Sequence, residues 1–352
     1  MRRGLMKWDP AELPQEILAA RAQRMQAAMA AAGFDALVVY TNNVRPAAVT
    51  YLTAFTPYWS DAILLLPSQG PSIFATSLSK RVVNWIRSTN PVSDIITTPR
   101  PGAVVGEHLA ADRNVRRVGV LEFDMLPFGI SDDLAGAAPG VEFADATAEF
   151  ASVRHFLDAA EIGLIDKTDA LARQALAPPA SGRTAGEYLG LVEATLRDEG
   201  AEEVYLAVVA DMQADSSFVR NPGASALGNC VAVSASVALK GCWVRRTRSF
   251  AGDAVTQRLF DRAQAWWDGD GVRLQAAQPI GRQVCAAVAR LPGARLLSWS
   301  AHGSRGSYPL QAIASPSDDT PALANSLLVL SITLEIDGVK WLAAAPMIID
   351  AN

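Results

Sequence analysis

The hydrophobic and polar positions of the first 150 residues follow the periods of short buried strands that alternate with helices. Apolar residues recur at helical spacing through residues 15–32, and Gly33 ends that pattern. FDALVVY then indicates a buried strand, and DAILLLPSQGPSIFAT indicates two strands around a Ser-Gln-Gly turn. RRVGVLEF indicates a further strand, and VEFADATAEF closes the region. This alternation predicts an α/β domain with a mixed sheet over residues 1–150.

From residue 151 onward, longer helices and longer alternating strands are indicated. TAGEYLGLVEATLRDEG is a predicted helix whose N-cap is Thr184, and Glu187 stands at capping-box spacing. VAVSASVALKGCWVRRTRSF predicts a hairpin that turns at Lys240 and Gly241. Helical patterns around DAVTQRLFDRAQAWW and PIGRQVCAAVARL follow, and SLLVLSITLEI and KWLAAAPMIID predict two last strands. We therefore expect a second domain over residues 151–352.

Composition excludes several classes of protein. The chain has 352 residues, of which 50% are hydrophobic and 19% are charged, so two ordered domains are expected. A net charge of −5 gives no electrostatic case for binding nucleic acid. No apolar run approaches the roughly 18 residues of a membrane span, and the N-terminal stretch lacks the apolar core of a signal peptide. Three cysteines at irregular spacing predict reduced thiols and a cytoplasmic protein.

Four segments, in this order, resemble the creatinase, aminopeptidase P and prolidase family. They are the opening RAQRMQAAMAAAGFDALVVYTNNVRPAAVTYLTAF, the helix start SVRHFLDAAEIGLI, the hairpin end LKGCWVRRTRSF and the loop AHGSRG. The resemblance covers nearly the whole chain. It implies a creatinase-type mixed α/β N-terminal domain followed by a "pita-bread" C-terminal domain, an α/β (α+β) fold in all. It also implies a homodimer.

The same resemblance locates the metal ligands of the family in this chain. Metal-dependent members hold two divalent ions with two Asp, one His and two Glu. By position, the two Asp become Ser234 and Arg245, which keep the family's spacing of eleven residues, and the His becomes His302. The two Glu fall near Thr333 and Leu342. A hydroxyl, a guanidinium and an aliphatic chain cannot hold hard divalent cations, so we expect no metal and no other cofactor.

Three residues are candidates for catalysis. His302 can serve as general acid or base without a metal, although a hydrogen-bonded core histidine inherited from a metal-binding ancestor fits equally well. Arg245 can grip a carboxylate or phosphate, or stabilise an oxyanion. Glu335 follows the penultimate strand and could replace a lost carboxylate if the strand register differs from our alignment. His108 is expected on a surface helix, and His155 is expected to be structural.

Six residues are candidates for substrate binding. Ser217 and Ser234 carry hydroxyls near the hairpin, but neither stands in a nucleophile motif. In creatinase-like dimers, a loop of the N-terminal domain reaches the partner's pocket, and here that loop offers Phe55, Tyr58, Trp59 and Asp61. These side chains could contact a planar or cationic substrate group, or they could simply pack a dimer interface.

Two functions are weighed from the sequence, and a lyase on the same scaffold stays open beside them. The first is a metal-independent hydrolase of an amide- or amidine-type C–N bond in a small polar molecule, similar to creatinase or ectoine hydrolase. The catalytic histidine of creatinase would fall near Ser217 or Phe218, where no histidine stands, so a guanidino substrate is not implied. The alternative is an inactive pita-bread protein that binds a ligand or serves as partner subunit of an active paralogue, in a heteromer.

Overall fold

A computed structural model describes residues 8–57 and 59–350 of the chain. The chain forms two compact units. The first unit contains the chain up to Glu161 together with the short segment Ser304–Pro309, and the second contains Ile162–Gly303 and the chain from Leu310 onward. Within the described ranges, no helix combines the length and the apolar character that spanning a bilayer requires.

The first unit is built on a mixed sheet. Its elements are, in chain order, α1 (Gln15–Ala31), β1 (Ala36–Thr41), α2 (Ala47–Thr53), β2 (Ala62–Pro67), β3 (Ser72–Thr76), α3 (Val83–Thr89), β4 (Ser93–Thr97), α4 (Pro101–Ala111), β5 (Arg117–Val120), α5 (Phe128–Ala137), β6 (Glu142–Asp145) and α6 (Thr147–Arg154). The six strands lie in the order β4-β3-β2-β1-β5-β6. β1, β2 and β3 pair antiparallel, whereas β4, β5 and β6 join in parallel. The predicted mixed α/β sheet is confirmed.

β1 shows why these residues form a central strand. All six of its residues are buried. Leu37 and Val39 belong to an apolar cluster that includes α1, whereas Val38 belongs to the cluster that includes α4 and α5. Because successive side chains of a strand point to opposite faces, a continuous apolar run suits a strand covered by helices on both sides.

The segment Ser304–Pro309 is held within the first unit by backbone and side-chain contacts. The Ala47 N–H donates to the Ser307 carbonyl at 3.0 Å, and the Ser307 N–H donates to Oε1 of Glu122 at 3.2 Å. Arg45 is buried, donates to Oε2 of Glu122 at 2.6 Å and lies over the Tyr308 ring at 5.4 Å from its centroid. Ser307 and Tyr308 of this segment therefore contact the buried Arg45–Glu122 ion pair and help to shield it from solvent.

The second unit is built on an antiparallel sheet. Its elements are α7 (Ala159–Ala175), which begins at the end of the first unit, α8 (Ala185–Asp198), β7 (Glu203–Val209), β8 (Cys230–Leu239), β9 (Cys242–Ala251), α9 (Ala254–Asp268), α10 (Ile280–Val288), β10 (Ala294–Gly303), β11 (Gln311–Ala314), β12 (Ser326–Ile336) and β13 (Val339–Ile349). The seven strands lie in the order β11-β10-β12-β13-β9-β8-β7, and each neighbouring pair is antiparallel.

The sheet of the second unit has one packed face and one open face. Trp267 of α9 and Val284 of α10 belong to one apolar cluster with Leu330 of β12. Ser331 and Thr333, which alternate with the buried residues of β12, are only partly buried. One face is therefore covered by helices, and the other carries small polar side chains.

The predicted capping box at the start of α8 is confirmed. Oγ1 of Thr184 accepts a hydrogen bond from the Glu187 N–H at 3.3 Å, and Oε2 of Glu187 accepts one from the Thr184 N–H at 2.9 Å. Each side chain satisfies a backbone donor that the first helical turn leaves without a partner.

The turn of the β8–β9 hairpin lies where the sequence predicts it. Lys240 and Gly241 have φ values of 49° and 76°, as a two-residue hairpin turn requires. The buried carboxylate of Glu202 accepts hydrogen bonds from the backbone N–H groups of both residues, with 3.1 Å to the Gly241 nitrogen. Burial raises the pKa of Glu202 to about 8, although the two N–H groups favour the charged form.

The Glu202 carboxyl group should make stability depend on pH. Between its ordinary value of 4.5 and its folded value of about 8, the folded protein keeps a proton that the unfolded chain has lost. This contribution to stability is complete below pH 4.5 and is lost as the pH rises through about 8. Glu203 acts in the same direction as burial and Lys240 opposes it.

We expect Glu202→Gln to remove this pH dependence, because the amide still accepts a hydrogen bond but does not titrate. The unfolding free energies of wild type and variant, from urea titrations between pH 5 and 8, should diverge by at most about 1.4 kcal/mol per pH unit. The wild type should lose stability relative to the variant as the pH rises. Parallel curves would show that Glu202 is not protonated in the folded protein.

Candidate functional site

A cavity of about 410 Å³ opens on the polar face of the seven-stranded sheet. Its wall is formed by residues of six strands and of the segment that joins β7 to β8: Tyr205, Leu206, Ala207, Phe218, Arg220, Ser234, Ser236, Arg245, Thr247, Ser298, Trp299, Ser300, Ser331, Ile332, Thr333, Leu342 and Ala343. Hydroxyl groups dominate the polar part of this wall. We refer to it as the Arg245 cavity.

The β8–β9 hairpin supplies one side of the Arg245 cavity. Ser234 lies opposite Thr247 and Ser236 lies opposite Arg245 in the antiparallel register. These four residues stand at alternate positions of their strands, so their side chains share one face. Nε of Arg245 donates a hydrogen bond to Oγ of Ser236 at 3.0 Å, which orients the guanidinium within the wall.

Strands β10, β12 and β13 supply the other side. Ser300 of β10 lies opposite Ser331 of β12. On the other edge of β12, Thr333 lies opposite Leu342 of β13. Four of the five positions that the family resemblance assigns to metal ligands, Ser234, Arg245, Thr333 and Leu342, thus line a single cavity.

These side chains do not fit a pair of divalent ions. In the part of the chain that the structure describes, the cavity wall contains no Asp, Glu, His, Cys or Lys. The same described residues include no group of three or more His, Cys, Asp or Glu placed to hold a metal ion. Hard divalent cations need several anionic oxygens, and two hydroxyls, a guanidinium and an aliphatic chain do not supply them.

Arg245 and Arg220 make the Arg245 cavity electropositive. Burial lowers the pKa of Arg245, and the positive charge of Arg220 lowers it further. The described residues offer neither guanidinium a carboxylate within ion-pair distance. The wall therefore carries two positive charges without a counter-charge.

His302 lies on β10, two residues beyond Ser300 and opposite Val329. It is half-buried and is not part of the cavity wall. Burial lowers the pKa of His302, and the positive charge of Arg245 lowers it further. Its Nδ1 atom is buried and has no hydrogen-bond partner among the described residues. Both effects favour the neutral imidazole, which can accept a proton.

Two candidate residues of the second unit lie outside the cavity wall. The carboxylate of Glu335 accepts a hydrogen bond from Nη2 of Arg295 at 3.1 Å, so it is engaged in a partly exposed ion pair. Ser217 is exposed, and its N–H donates to Oδ1 of Asp215 at 2.9 Å. Its neighbour Phe218 lines the cavity instead.

In the N-terminal loop that contains Phe55, Trp59 and Asp61, the surroundings of Phe55 differ from the expectation. Phe55 was expected to contact a substrate or a partner, but its side chain is 1% exposed and packs edge-on against Phe74 and Trp85 in the core of its own unit. Tyr58 lies outside the described residues. Trp59 is 57% exposed, and the exposed Asp61 accepts a hydrogen bond from the Tyr40 hydroxyl. The homodimer stays a prediction.

Several cavity residues were not found from the sequence. The serines Ser236, Ser298, Ser300 and Ser331 lie at alternate strand positions with other cavity residues, and this period of two was a usable signal. Arg220 lies in the irregular segment between β7 and β8, where no periodicity indicates which side chains face the sheet.

Comparisons with known proteins identify the first domain and the fold. Residues 21–156 match the family model of the Creatinase/Prolidase N-terminal domain. A comparison with curated proteins gave no significant match.

The fold of the chain is similar to those of several solved peptidases. The prolidase from Pyrococcus horikoshii OT3 gives a TM-score of 0.72 at 13% identity, over 95% of this chain and 96% of that chain. The X-Pro aminopeptidase from Thermotoga maritima MSB8 gives 0.71 at 14% identity, over 94% and 95%. The dipeptidase PepE from Mycobacterium ulcerans gives 0.65 at 18% identity, over 97% and 93%. The predicted fold class, a creatinase-type domain followed by a pita-bread domain, is confirmed.

Replacing Arg245 should change the titration of His302. We expect Arg245→Gln to raise the pKa of His302 towards its ordinary value, because one nearby positive charge is removed. NMR titration of the imidazole Cε1–H signal can measure this, since the chain has three histidines and a His302→Ala spectrum assigns the resonance. The control Arg282→Gln removes an exposed charge outside the cavity wall and should leave the His302 titration unchanged. An unchanged or lower pKa in Arg245→Gln would contradict the proximity of the two groups.

Proposed function

From a chain whose residues 21–156 form a Creatinase/Prolidase N-terminal domain and whose fold is that of the prolidases, we propose a metal-independent hydrolase. Its substrate is a small polar molecule with an amide- or amidine-type C–N bond, and its site is the Arg245 cavity with His302. One observation carries this proposal. Four positions that the family resemblance assigns to metal ligands line a single cavity, and the wall of that cavity lacks the side chains that could bind a metal.

His302 supports hydrolysis because it can transfer a proton without a metal. In this reaction a water oxygen bonds to the carbonyl or amidine carbon, the C–N bond breaks, and the leaving nitrogen takes up a proton. A neutral imidazole accepts the proton of the attacking water and can return it to the nitrogen. The lowered pKa of His302 keeps that neutral form available at neutral pH. Arg245 contacts the substrate on the same sheet face.

A second candidate is binding without turnover. The described cavity wall contains no Asp, Glu, His, Cys or Lys, and this favours the binding role, since binding needs the cavity and its donors but no proton transfer. In this role the chain is a ligand-binding protein or the partner subunit of an active paralogue. A ligand recovered unchanged from the protein after long incubation supports this candidate over the first.

The proposal predicts that purified protein carries no pair of divalent ions. Elemental analysis of the full chain after dialysis should give much less than one equivalent of Zn, Mn, Co or Fe per chain, because the cavity wall lacks carboxylates. Two stoichiometric divalent ions per chain would refute metal independence.

The proposal also predicts that His302 controls turnover. With a chelator present throughout, a panel of small amides, amidines and X-Pro dipeptides is assayed for release of amine or ammonia. We expect His302→Ala to lower kcat by about two orders of magnitude or more, the usual contribution of general acid–base catalysis. His108→Ala, which changes an exposed histidine of α4, serves as the control and should keep full activity.

Three outcomes separate the two candidates. Loss of activity in His302→Ala, with an unchanged far-UV spectrum and melting temperature, supports the hydrolase. Full activity in that variant shows that the proton comes from another group. No turnover of any compound by the wild type, together with binding of one of them, favours the binding role.

A further inference from the structure

The two guanidiniums of the Arg245 cavity have no anionic partner in the protein. The hydrogen bond of Arg245 is to the neutral Ser236 hydroxyl, and Arg220 forms no ion pair within the described ranges. This differs from the buried Arg246 on the same strand, which pairs with Asp169 and Asp268. Carboxylates thus neutralise Arg246 on the packed side of the sheet, whereas none among the described residues neutralises Arg245 on the cavity side.

Two close like charges without a counter-ion are unfavourable, and the cost rises with burial. Arg245 is half-buried and feels the charge of Arg220, which lowers its pKa. A bound anion would reverse both effects, because charge-assisted hydrogen bonds to a guanidinium are among the strongest in proteins. The arrangement is therefore suited to a ligand that brings the missing negative charge.

The remaining polar groups of the wall suit the same ligand. Seven serine and threonine side chains line the cavity, at positions 234, 236, 247, 298, 300, 331 and 333. Each hydroxyl can donate one hydrogen bond, and no carboxylate in the described wall competes for these donors or repels an anion. A cationic ligand would find no counter-charge in this wall.

We propose that the Arg245 cavity binds a small organic oxyanion, a carboxylate or phosphate, between Arg245 and Arg220. Arg245, the more buried of the two, contacts the anionic group together with the wall hydroxyls, and the exposed Arg220 contacts it from the solvent side. Phe218 and Leu342 provide apolar surface for the rest of the molecule. A volume of about 410 Å³ suits a small organic ligand rather than a polymer. The inference rests on the proposed function only in taking this cavity as the functional site.

Ligands of equal shape and different charge test the proposal. Binding of benzoate, benzamide and benzamidine to the full-length protein is measured by calorimetry or NMR at millimolar concentration, with phenyl phosphate as the phosphate probe. We expect benzoate or phenyl phosphate to bind at least tenfold more tightly than benzamide, which corresponds to about 1.4 kcal/mol, and benzamidine not to bind. The tighter of the two anions identifies the carboxylate or the phosphate as the preferred group.

Arginine variants locate the binding. Arg245→Gln should weaken anion binding at least tenfold, Arg220→Gln should weaken it less because that guanidinium is exposed, and Arg245→Lys should lie between wild type and Arg245→Gln. Arg282→Gln changes the net charge equally outside the cavity wall and should bind as wild type does. If Arg245→Gln does not fold, Arg220→Gln and Arg245→Lys still carry the test.

The proposal is overturned if benzamidine binds as tightly as benzoate, or if neither Arg245→Gln nor Arg220→Gln binds anions more weakly than Arg282→Gln does. Anion binding that depends on Arg245 but leads to no turnover confirms this inference while refuting the hydrolase. Turnover of a neutral or cationic substrate with an unchanged KM in Arg245→Gln supports the hydrolase while refuting the anion site.

Discussion

The register of the β8–β9 hairpin is the constraint on which the cavity depends. Lys240 and Gly241, both with positive φ, form the two-residue turn that sets Ser236 opposite Arg245. Because side chains alternate between the faces of a sheet, a slip of one residue would turn Arg245 towards the helices. The buried Glu202 carboxyl group accepts hydrogen bonds from both N–H groups of this turn, so a side chain outside the cavity supports the position of the guanidinium.

The chemistry of the cavity is opposite in sign to that of a divalent metal site. A metal site presents oxygen acceptors to a cation, whereas this wall presents N–H and O–H donors. Four of the backbone positions are those that the family resemblance assigns to ligands. His302 remains close enough to Arg245 for its pKa to respond to the guanidinium charge.

Local sequence patterns predicted the parts of the structure that local interactions determine. The capping box of α8, the hairpin turn and the long strands β12 and β13 depend on near neighbours, and each was predicted. No helix was predicted for α5, because only Leu134 of its residues is buried and the apolar period is weak.

Residues whose surroundings depend on distant parts of the chain were predicted less well. Ser234 and Arg245, two residues singled out from the sequence, both line the cavity because the local register of the hairpin sets them on one face. Phe55 was expected to contact a substrate or a dimer partner but is buried, since an aromatic residue in a loop gives no sign of whether it faces solvent or the core. Arg220 was not predicted to line the cavity, because the irregular segment between β7 and β8 shows no periodicity of polar and apolar residues.

The contacts of Ser307 have a consequence for synthesis of the protein on the ribosome. Its N–H reaches a Glu122 carboxylate that lies 185 residues earlier in the chain. At about 5–20 residues per second, roughly ten to forty seconds pass between the two residues leaving the peptidyl-transferase centre. During this interval the Arg45–Glu122 pair lacks part of its cover, and a nascent chain that stops before Ser304 cannot complete its N-terminal domain.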